Sequence, residues 1–137
     1  MSKERKIIRY KEIGISIIIV IAVVVANVVG QNYMKQSVKT LEGSLNEIKQ
    51  EMEKEDNEPN IIKGKMADLR QDWKVINERL AYYIEHDELE KVETELYTLN
   101  ANIDTNEYEQ GIEKIEKCKF ILRHIQNKEA FNLRNIF

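Results

Sequence analysis

The hydrophobic positions near the N-terminus form one uninterrupted block instead of a periodic pattern. Residues 13–30 read IGISIIIVIAVVVANVVG, and no charged residue occurs between Glu12 and Lys35. As a helix, these 18 residues span about 27 Å, close to the hydrocarbon thickness of a bilayer. A lone strand could not satisfy its backbone hydrogen bonds in lipid. The block therefore predicts a transmembrane helix, with Ile13, Ile17, Ile21, Val24 and Val28 among its residues.

After the block, hydrophobic positions recur at alternating spacings of three and four residues. These positions are Val38, Leu41, Leu45, Ile48 and Met52. Such a stripe is typical of a helix that packs along one face. It predicts a stalk helix that continues from the transmembrane helix. The stripe leaves two alternatives open, because it can join the core of a bundle or pair with another copy of the chain.

A second helix is predicted around the only Pro in the chain. Asn57 has the residue type of an N-cap, and Pro59 fits the first helical turn, where a missing N–H does no harm. The apolar period then carries this helix to about His86. Its apolar positions are Ile62, Met66, Leu69, Trp73, Ile76, Leu80 and Tyr83.

Two more helices are predicted in the remaining chain. Asp87 and Glu90 have the spacing of a capping box, which indicates the start of the third helix. Residues 104–107 supply a turn and a cap before the fourth helix. The apolar positions of these two helices are Leu89, Val92, Leu96, Leu99, Ile103, Tyr108, Ile112, Ile115, Leu122 and Ile125.

Together these elements predict an all-α fold. Short connections make sequential helices antiparallel neighbours, so we expect a single-pass transmembrane helix, a stalk helix and an antiparallel bundle of three or four helices. The expected segments are a basic N-terminus at 1–12, a transmembrane signal anchor at 13–34, a stalk at 35–56 and the bundle at 57–137.

The charges that flank the apolar block predict its orientation. Five basic side chains precede the block and three follow it within fifteen residues. The positive-inside rule therefore places the N-terminus in the cytoplasm and the bundle outside it, in the cell membrane. A cleaved signal peptide is the alternative, although this apolar run is longer than a usual signal-peptide core. The net charge of -3 gives no reason to expect nucleic-acid binding.

The sequence contains no arrangement typical of an enzyme. It has no G-x-S-x-G motif, no Cys/His pair suited to catalysis and no Gly-rich phosphate loop. We therefore expect no catalytic residues and no cofactor. The single Cys, Cys118, excludes an internal disulfide. It is either a small packing residue or a free thiol that links two copies.

His86, Glu88 and Glu90 are weak candidates for a metal site. Imidazole and carboxylate groups are suitable ligands. However, consecutive helical residues point in different directions, and no H-E-x-x-H pattern is present. The alternative is that His86 closes the second helix, where a partial positive charge favours the helix dipole. No metal is assigned.

Aromatic and apolar residues suggest two further surfaces. One set could form a ligand groove, although aromatics at helical spacing are usually core. This set is Trp73, Tyr82, Tyr83, Tyr97 and Tyr108. The C-terminal end is unusually apolar, and Phe131, Ile136 and Phe137 are expected either to fold back onto the bundle or to bind a partner.

From Trp73 onward, the chain resembles the carboxy-terminal region of domain-of-unknown-function family 4363. The shared pattern is a Trp-bearing helix, a His near acidic residues, a helical hairpin with an acidic turn, and an apolar ending. The matching residues are Trp73, His86, Glu88, Leu122, His124 and Asn135-Ile136-Phe137. The resemblance implies a small envelope protein of Gram-positive, mostly clostridial, bacteria, without an established activity and with a membrane protein as a plausible partner.

We therefore expect a non-enzymatic interaction or scaffold component of the bacterial cell envelope. Its expected partners are the lipid bilayer and another membrane or envelope protein, and the stalk stripe offers a route to a homo-oligomer. The alternative function is an extracytoplasmic ligand- or metal-sensing domain. The short segment before the transmembrane helix, residues 1–12, disfavours that alternative, because it is too short for a signalling output.

Overall fold

The computed structural model describes the main chain of residues 2–136 and the side chains of residues 2–130. Over this part, the chain forms four helices and no strand. The helices are α1 (Ser2–Glu53), α2 (Pro59–Leu80), α3 (His86–Asp104) and α4 (Tyr108–Ile136). The all-α prediction is confirmed.

The four helices form a closed antiparallel bundle. Each helix packs against the next one, and α4 packs back against α1, whereas the diagonal pairs bring no Cα atoms within 8 Å of each other over residues 2–136. The turns between helices are short, so each helix reverses the direction of the previous one. The side chains at the centre come from all four helices, and α1 enters the bundle only with its C-terminal half.

The C-terminal half of α1 supplies one side of the core. Its predicted stripe is buried from Val38 to Met52, and Leu45 and Ile48 are fully enclosed. The segment expected as a stalk is therefore the first helix of the bundle, which is one of the two alternatives that the sequence left open. A second copy would reach the stripe only by displacing α2 and α4, and homo-oligomerisation through it stays a prediction.

The turn between α2 and α3 differs from the sequence prediction. α2 ends at Leu80 instead of continuing to about His86, because Ile84 turns inward and is only 6% exposed. The N–H groups of Tyr83 and Ile84 both donate to the Leu80 carbonyl, at 2.9 Å. Core burial of Ile84 therefore ends α2 earlier than the periodicity indicated.

The start of α3 corrects two further predictions. His86 is the first residue of α3, so it does not close α2, and its charged form would oppose the positive end of the α3 dipole. Glu85 occupies the N-cap position without a side-chain hydrogen bond, and the predicted Asp87–Glu90 capping box is absent there. Asp87 and Glu88 instead lie in the first turn, where their charge favours the dipole.

The α1–α2 and α3–α4 turns lie at the predicted positions, but their helix ends are capped in a different way from the prediction. Pro59 opens α2 as expected, but Asn57 donates from Nδ2 to the carbonyls of Met52 and Lys54, at 3.5 and 3.3 Å, and so closes α1. In the α3–α4 turn, Asn106 has a φ of 57°, a left-handed conformation that Asn tolerates better than most residues. The turn predicted at 104–107 is confirmed.

Substitutions at neighbouring positions of α1 test whether this helix belongs to the core. Leu45→Ala is expected to lower the free energy of unfolding by about 2–5 kcal/mol, because it removes a fully buried side chain. The measurement is thermal or denaturant unfolding of the full chain in detergent micelles, followed by circular dichroism.

Gly43→Ala is the matched control on the same helix. A Cβ at Gly43 would meet no atom within 4 Å, so the substitution is expected to stabilise the helix by about 1 kcal/mol. If Leu45→Ala left the unfolding transition unchanged, α1 would not contribute to the core.

Candidate functional site

The N-terminal half of α1 has an apolar surface exposed on nearly every side. Ile13, Ile17, Ile21 and Val28 are exposed, and Val24 is half-buried. Within residues 2–136, α1 is the one helix that is long and apolar enough to cross a membrane. Exposed aliphatic surface of this extent is unfavourable in water and is matched by hydrocarbon. By length and composition, this segment is a candidate transmembrane helix.

Ser16 is a polar side chain near the N-terminal end of this apolar surface. Its Oγ donates a hydrogen bond to the carbonyl of Glu12, at 2.8 Å. A hydroxyl that is satisfied one turn back within its own helix needs no partner in lipid. The serine is therefore compatible with a membrane environment.

The bundle begins where the apolar segment ends. Gly30 is buried against the ring of Tyr83, and a Cβ at Gly30 would come within 2.7 Å of the Tyr83 Cδ1 atom. On another side, Gln31 donates from Nε2 to the Glu129 carbonyl, at 3.0 Å. The α2–α3 turn and the C-terminal part of α4 therefore both meet α1 at this level. The sequence did not indicate that Tyr83 would pack on Gly30.

The main chain of α4 continues beyond this level. From Glu129 to Ile136 it rises about 10 Å, and because α4 is antiparallel to α1, it reaches the level of about Val24. Val24 and Asn27 are half-buried, whereas residues 15–23 are exposed. The last two turns of α4 thus lie beside the end of the apolar segment.

The structure does not bring the weak metal candidates together as a ligand set. His86 and Glu90 are exposed, whereas Glu88 is buried and faces lysines instead of the histidine. Among the described residues, no group of three His, Cys, Asp or Glu side chains is placed to hold a metal ion. A cation at Glu88 would have to displace two ammonium groups, so the arrangement disfavours the metal-sensing alternative.

Glu88 connects α3 to α4 through an ion-pair network. Its Oε1 lies 3.2 Å from Lys91 Nζ and 3.4 Å from Lys128 Nζ, and Lys128 also approaches Glu85 at 3.6 Å. The hydrogen bond from Lys91, assisted by the one from Lys128, holds the pKa of the Glu88 carboxyl below its ordinary value against the opposing effect of burial. Nothing in the local spacing indicated the pairing with Lys128, forty residues away.

A second carboxylate on α3 is buried in the same seam. Glu95 Oε1 lies 2.7 Å from Lys117 Nζ, and its Oε2 lies 3.8 Å from Lys114 Nζ. Cys118 of α4 is also buried in the core, and burial, aided by the charge of Glu95, raises the pKa of its thiol to about 12. The thiol is therefore protonated and enclosed at neutral pH. This placement favours the packing role over a link between copies.

The aromatic residues do not gather into one groove. Tyr82 lies in the α2–α3 turn and Tyr108 at the start of α4, whereas Trp73 and Tyr97 share a cleft of about 830 Å³ between α2 and α3. Trp73 is buried and donates from Nε1 to Glu93, while Tyr97 is 75% exposed at the edge. Trp73 therefore lies buried at the bottom of the cleft, and Tyr97 lies exposed at its edge.

The predicted partner-binding residues lie at the end of α4. The main chain of Phe131 and Ile136 is helical. The side chains of residues 131–136, and Phe137 as a whole, lie outside the described residues. Partner binding by Phe131, Ile136 and Phe137 stays a prediction.

The geometry defines a class of protein, an antiparallel four-helix bundle built on the C-terminal half of a long helix whose N-terminal half is a candidate transmembrane segment. The profile of a family described as a domain of unknown function, DUF4363, matches residues 28–136. The chain belongs to this family, as its resemblance indicated, and the matched region begins almost where the bundle begins. No curated protein and no solved structure matches the chain.

The Glu88 network predicts a pH-dependent contribution to stability. Because folding lowers the pKa of Glu88, its ion pairs stabilise the fold fully above the unfolded value of about 4.5 and are lost as the pH falls through the lower folded value. Glu88→Gln is expected to reduce stability by about 1 kcal/mol at pH 7, and the difference from the native chain should diminish as the pH falls below about 4.5.

The measurement is denaturant unfolding of both chains in detergent micelles from pH 7 to pH 3. Glu90→Gln, an exposed position on the same helix, is the matched control and should change little at any pH. A difference between Glu88→Gln and the native chain that did not depend on pH would contradict the ion-pair assignment.

Proposed function

We propose that this protein is a non-enzymatic, single-pass component of the bacterial cell envelope, whose bundle binds another membrane or envelope protein. The observation that carries this proposal is the unbroken course of α1 from Ser2 to Glu53. Its first half presents the apolar surface that lipid accommodates, and its second half forms part of the bundle core. The bundle is therefore attached to its anchor without a flexible linker.

The proposed orientation has the N-terminus in the cytoplasm and the bundle outside it. The basic side chains of the first turns of α1 support this orientation through the positive-inside rule. These residues are Lys3, Arg5, Lys6, Arg9 and Lys11, and all of them are exposed. An uncleaved α1 is part of the proposal, because cleavage near residue 30 would leave the bundle without an anchor.

The cleft between α2 and α3 is the surface that we propose for the protein partner. Tyr97 and Val75 are 75% and 46% exposed at its edges, above the buried ring of Trp73. Aromatic side chains that are held in place lose little entropy on binding and are enriched in protein interfaces. Arg70 and Glu78 also line the cleft and offer charged groups of both signs for a polar rim.

A site-specific crosslink tests the proposed partner surface. Replacing Tyr97 with the photoreactive residue benzoylphenylalanine keeps an aromatic ring at the edge of the cleft. Illumination of native membranes is expected to attach one reproducible membrane or envelope protein, identified by mass spectrometry. The same replacement at Phe131 tests the partner contact that the sequence predicted at the chain end.

The matched control is the same replacement at Glu55, an exposed residue of the turn at the far end of the bundle. It is expected to give no reproducible adduct, since it lies away from both the cleft and the chain end. If neither Tyr97 nor Phe131 yields an adduct beyond the Glu55 background, the interaction proposal is wrong.

The orientation has its own test with a membrane-impermeant maleimide. Glu55→Cys is expected to react in intact cells, whereas Ser2→Cys should react only after lysis, because the proposed membrane separates the two positions. The unchanged chain is the blank, since Cys118 is buried. Reaction of Ser2→Cys in intact cells, with Glu55→Cys protected until lysis, would reverse the orientation.

A further inference from the structure

The line along which α2 packs against α3 is the open side of the bundle. Ion pairs bridge each of the other three helix–helix lines, but among residues 2–130 none bridges α2 and α3. The bridging pairs of the other lines are Lys65–Glu47, Lys49–Glu116, Arg123–Glu42, Lys117–Glu95 and Lys128–Glu88. Between α2 and α3 lies the cleft of about 830 Å³, which leaves room for a further segment.

The cleft presents charged side chains that the bundle itself does not pair. Arg70 and Lys74 lie one turn apart on the α2 side, and both are exposed. Glu78 follows one turn later, at the end of the cleft nearer to the apolar segment, and is also exposed. None of the three forms an ion pair within the part of the chain whose side chains are described. On the α3 side, Glu93 accepts the hydrogen bond from Trp73. The α2 side therefore offers two adjacent positive charges and one negative charge at its end.

The hydrogen bonds of the backbone determine which conformation suits an occupant of this cleft. Helices satisfy their backbone groups internally, and residues 2–136 contain no strand, so the cleft offers no sheet edge to an extended segment. A helical occupant needs no such edge. From Ala67 to Glu78 the cleft follows α2 for about 16 Å, the length of about three helical turns. An amphipathic helix of this length therefore fits the cleft better than an extended segment.

A second copy of the chain does not complement the charges of the cleft. Copies that α1 anchors in one membrane have the same orientation, so two clefts that face each other present the same residues at the same height. Arg70 and Lys74 of one copy would then face the same two cations of the other, and like charges repel. The complementary occupant is a segment of a different protein.

We infer that the occupant of the α2–α3 cleft is a single amphipathic helix of the protein partner, with acidic side chains facing Arg70 and Lys74 and a basic side chain near Glu78. This inference rests on the proposed function, because it specifies the partner at the surface proposed above. The apolar face of the helix would pack on Val75 and Tyr97, which are exposed at the edges of the cleft. The partner helix would thus join the bundle as a fifth helix.

Charge reversal on the α2 side tests the acidic character of the occupant. In the full chain with benzoylphenylalanine in place of Tyr97, Arg70→Glu and Lys74→Glu together are expected to lower the yield of the partner adduct in native membranes about fivefold or more, because two attractions become repulsions. The matched control is Lys35→Glu with Lys39→Glu, two exposed positions of α1 with the same four-residue spacing, which should leave the yield unchanged. Both double variants should keep the native unfolding transition, since all four side chains are exposed.

The spacing of adducts along the partner tests its helical conformation. Benzoylphenylalanine is placed at Ala67 and, in a separate variant, at Val75, which are eight residues and about 12 Å apart along α2. A helical occupant is expected to be attached at two residues about eight positions apart, whereas an extended segment would give about four. Mass spectrometry of the digested adducts locates the attached residues.

The contrary results separate this inference from the proposed function. A yield that survives charge reversal at Arg70 and Lys74, or attached residues about four positions apart, makes the acidic helix wrong while the protein partner stands. An adduct with a second copy of this chain also contradicts the inference. If Tyr97 gives no adduct while the chain end does, the cleft is not the partner site, although the protein still binds a partner. If neither gives an adduct, the proposed function is wrong as well.

Discussion

The rest of the structure depends on the continuity of α1. A segment that enters lipid has to satisfy its backbone hydrogen bonds internally, and a helix does so without help from any neighbour. This helix then continues past the apolar segment to Glu53 and provides one side of a four-helix core. Because an α-helix rises about 1.5 Å per residue, each core position of α1 has a fixed distance from the apolar segment.

The closed arrangement of the four helices follows from the burial of the apolar stripe of α1. α2 and α4 pack against α1, and α3 completes the ring by packing between them. The apolar stripe of each helix is covered by two neighbouring helices. Burial of the α1 stripe within the same chain is therefore favoured over a stalk that leaves the stripe exposed to water. The match of the DUF4363 family from residue 28 onward agrees with this view, because it includes the half of α1 that the core requires.

The seam between α3 and α4 shows how this acidic chain uses its buried charges. Glu88 and Glu95 lie on the inner side of α3, and lysines of α4 approach both of them. Removing a carboxylate from water is costly unless a partner neutralises it, so these pairs favour one register of α4 on α3. The buried carboxylates therefore have a structural explanation, and the two lysines near Glu88 disfavour its use as a metal ligand.

The sequence by itself determined the features that depend on local spacing. The apolar block, the stripe from Val38 to Met52, the Pro59 helix start and the turn at Asn106 all follow from the preferences of neighbouring residues. Three local predictions failed at the α2–α3 turn: the end of α2, the role of His86 and the capping box. Burial of Ile84 outweighed the apolar period there and moved the helix boundaries.

Only the tertiary structure decided which surfaces meet. The sequence left the stripe free to join the core or a second copy, and it contained no sign that Lys128 would approach Glu88 or that Tyr83 would pack on Gly30. These contacts join residues far apart in the chain, so they depend on how all four helices are arranged. The level along α1 that the end of α4 reaches is of the same kind, because it follows from the antiparallel register of α4 against α1. Local periodicity can specify each helix, but the faces that are covered and the faces left exposed depend on the packing of the whole bundle.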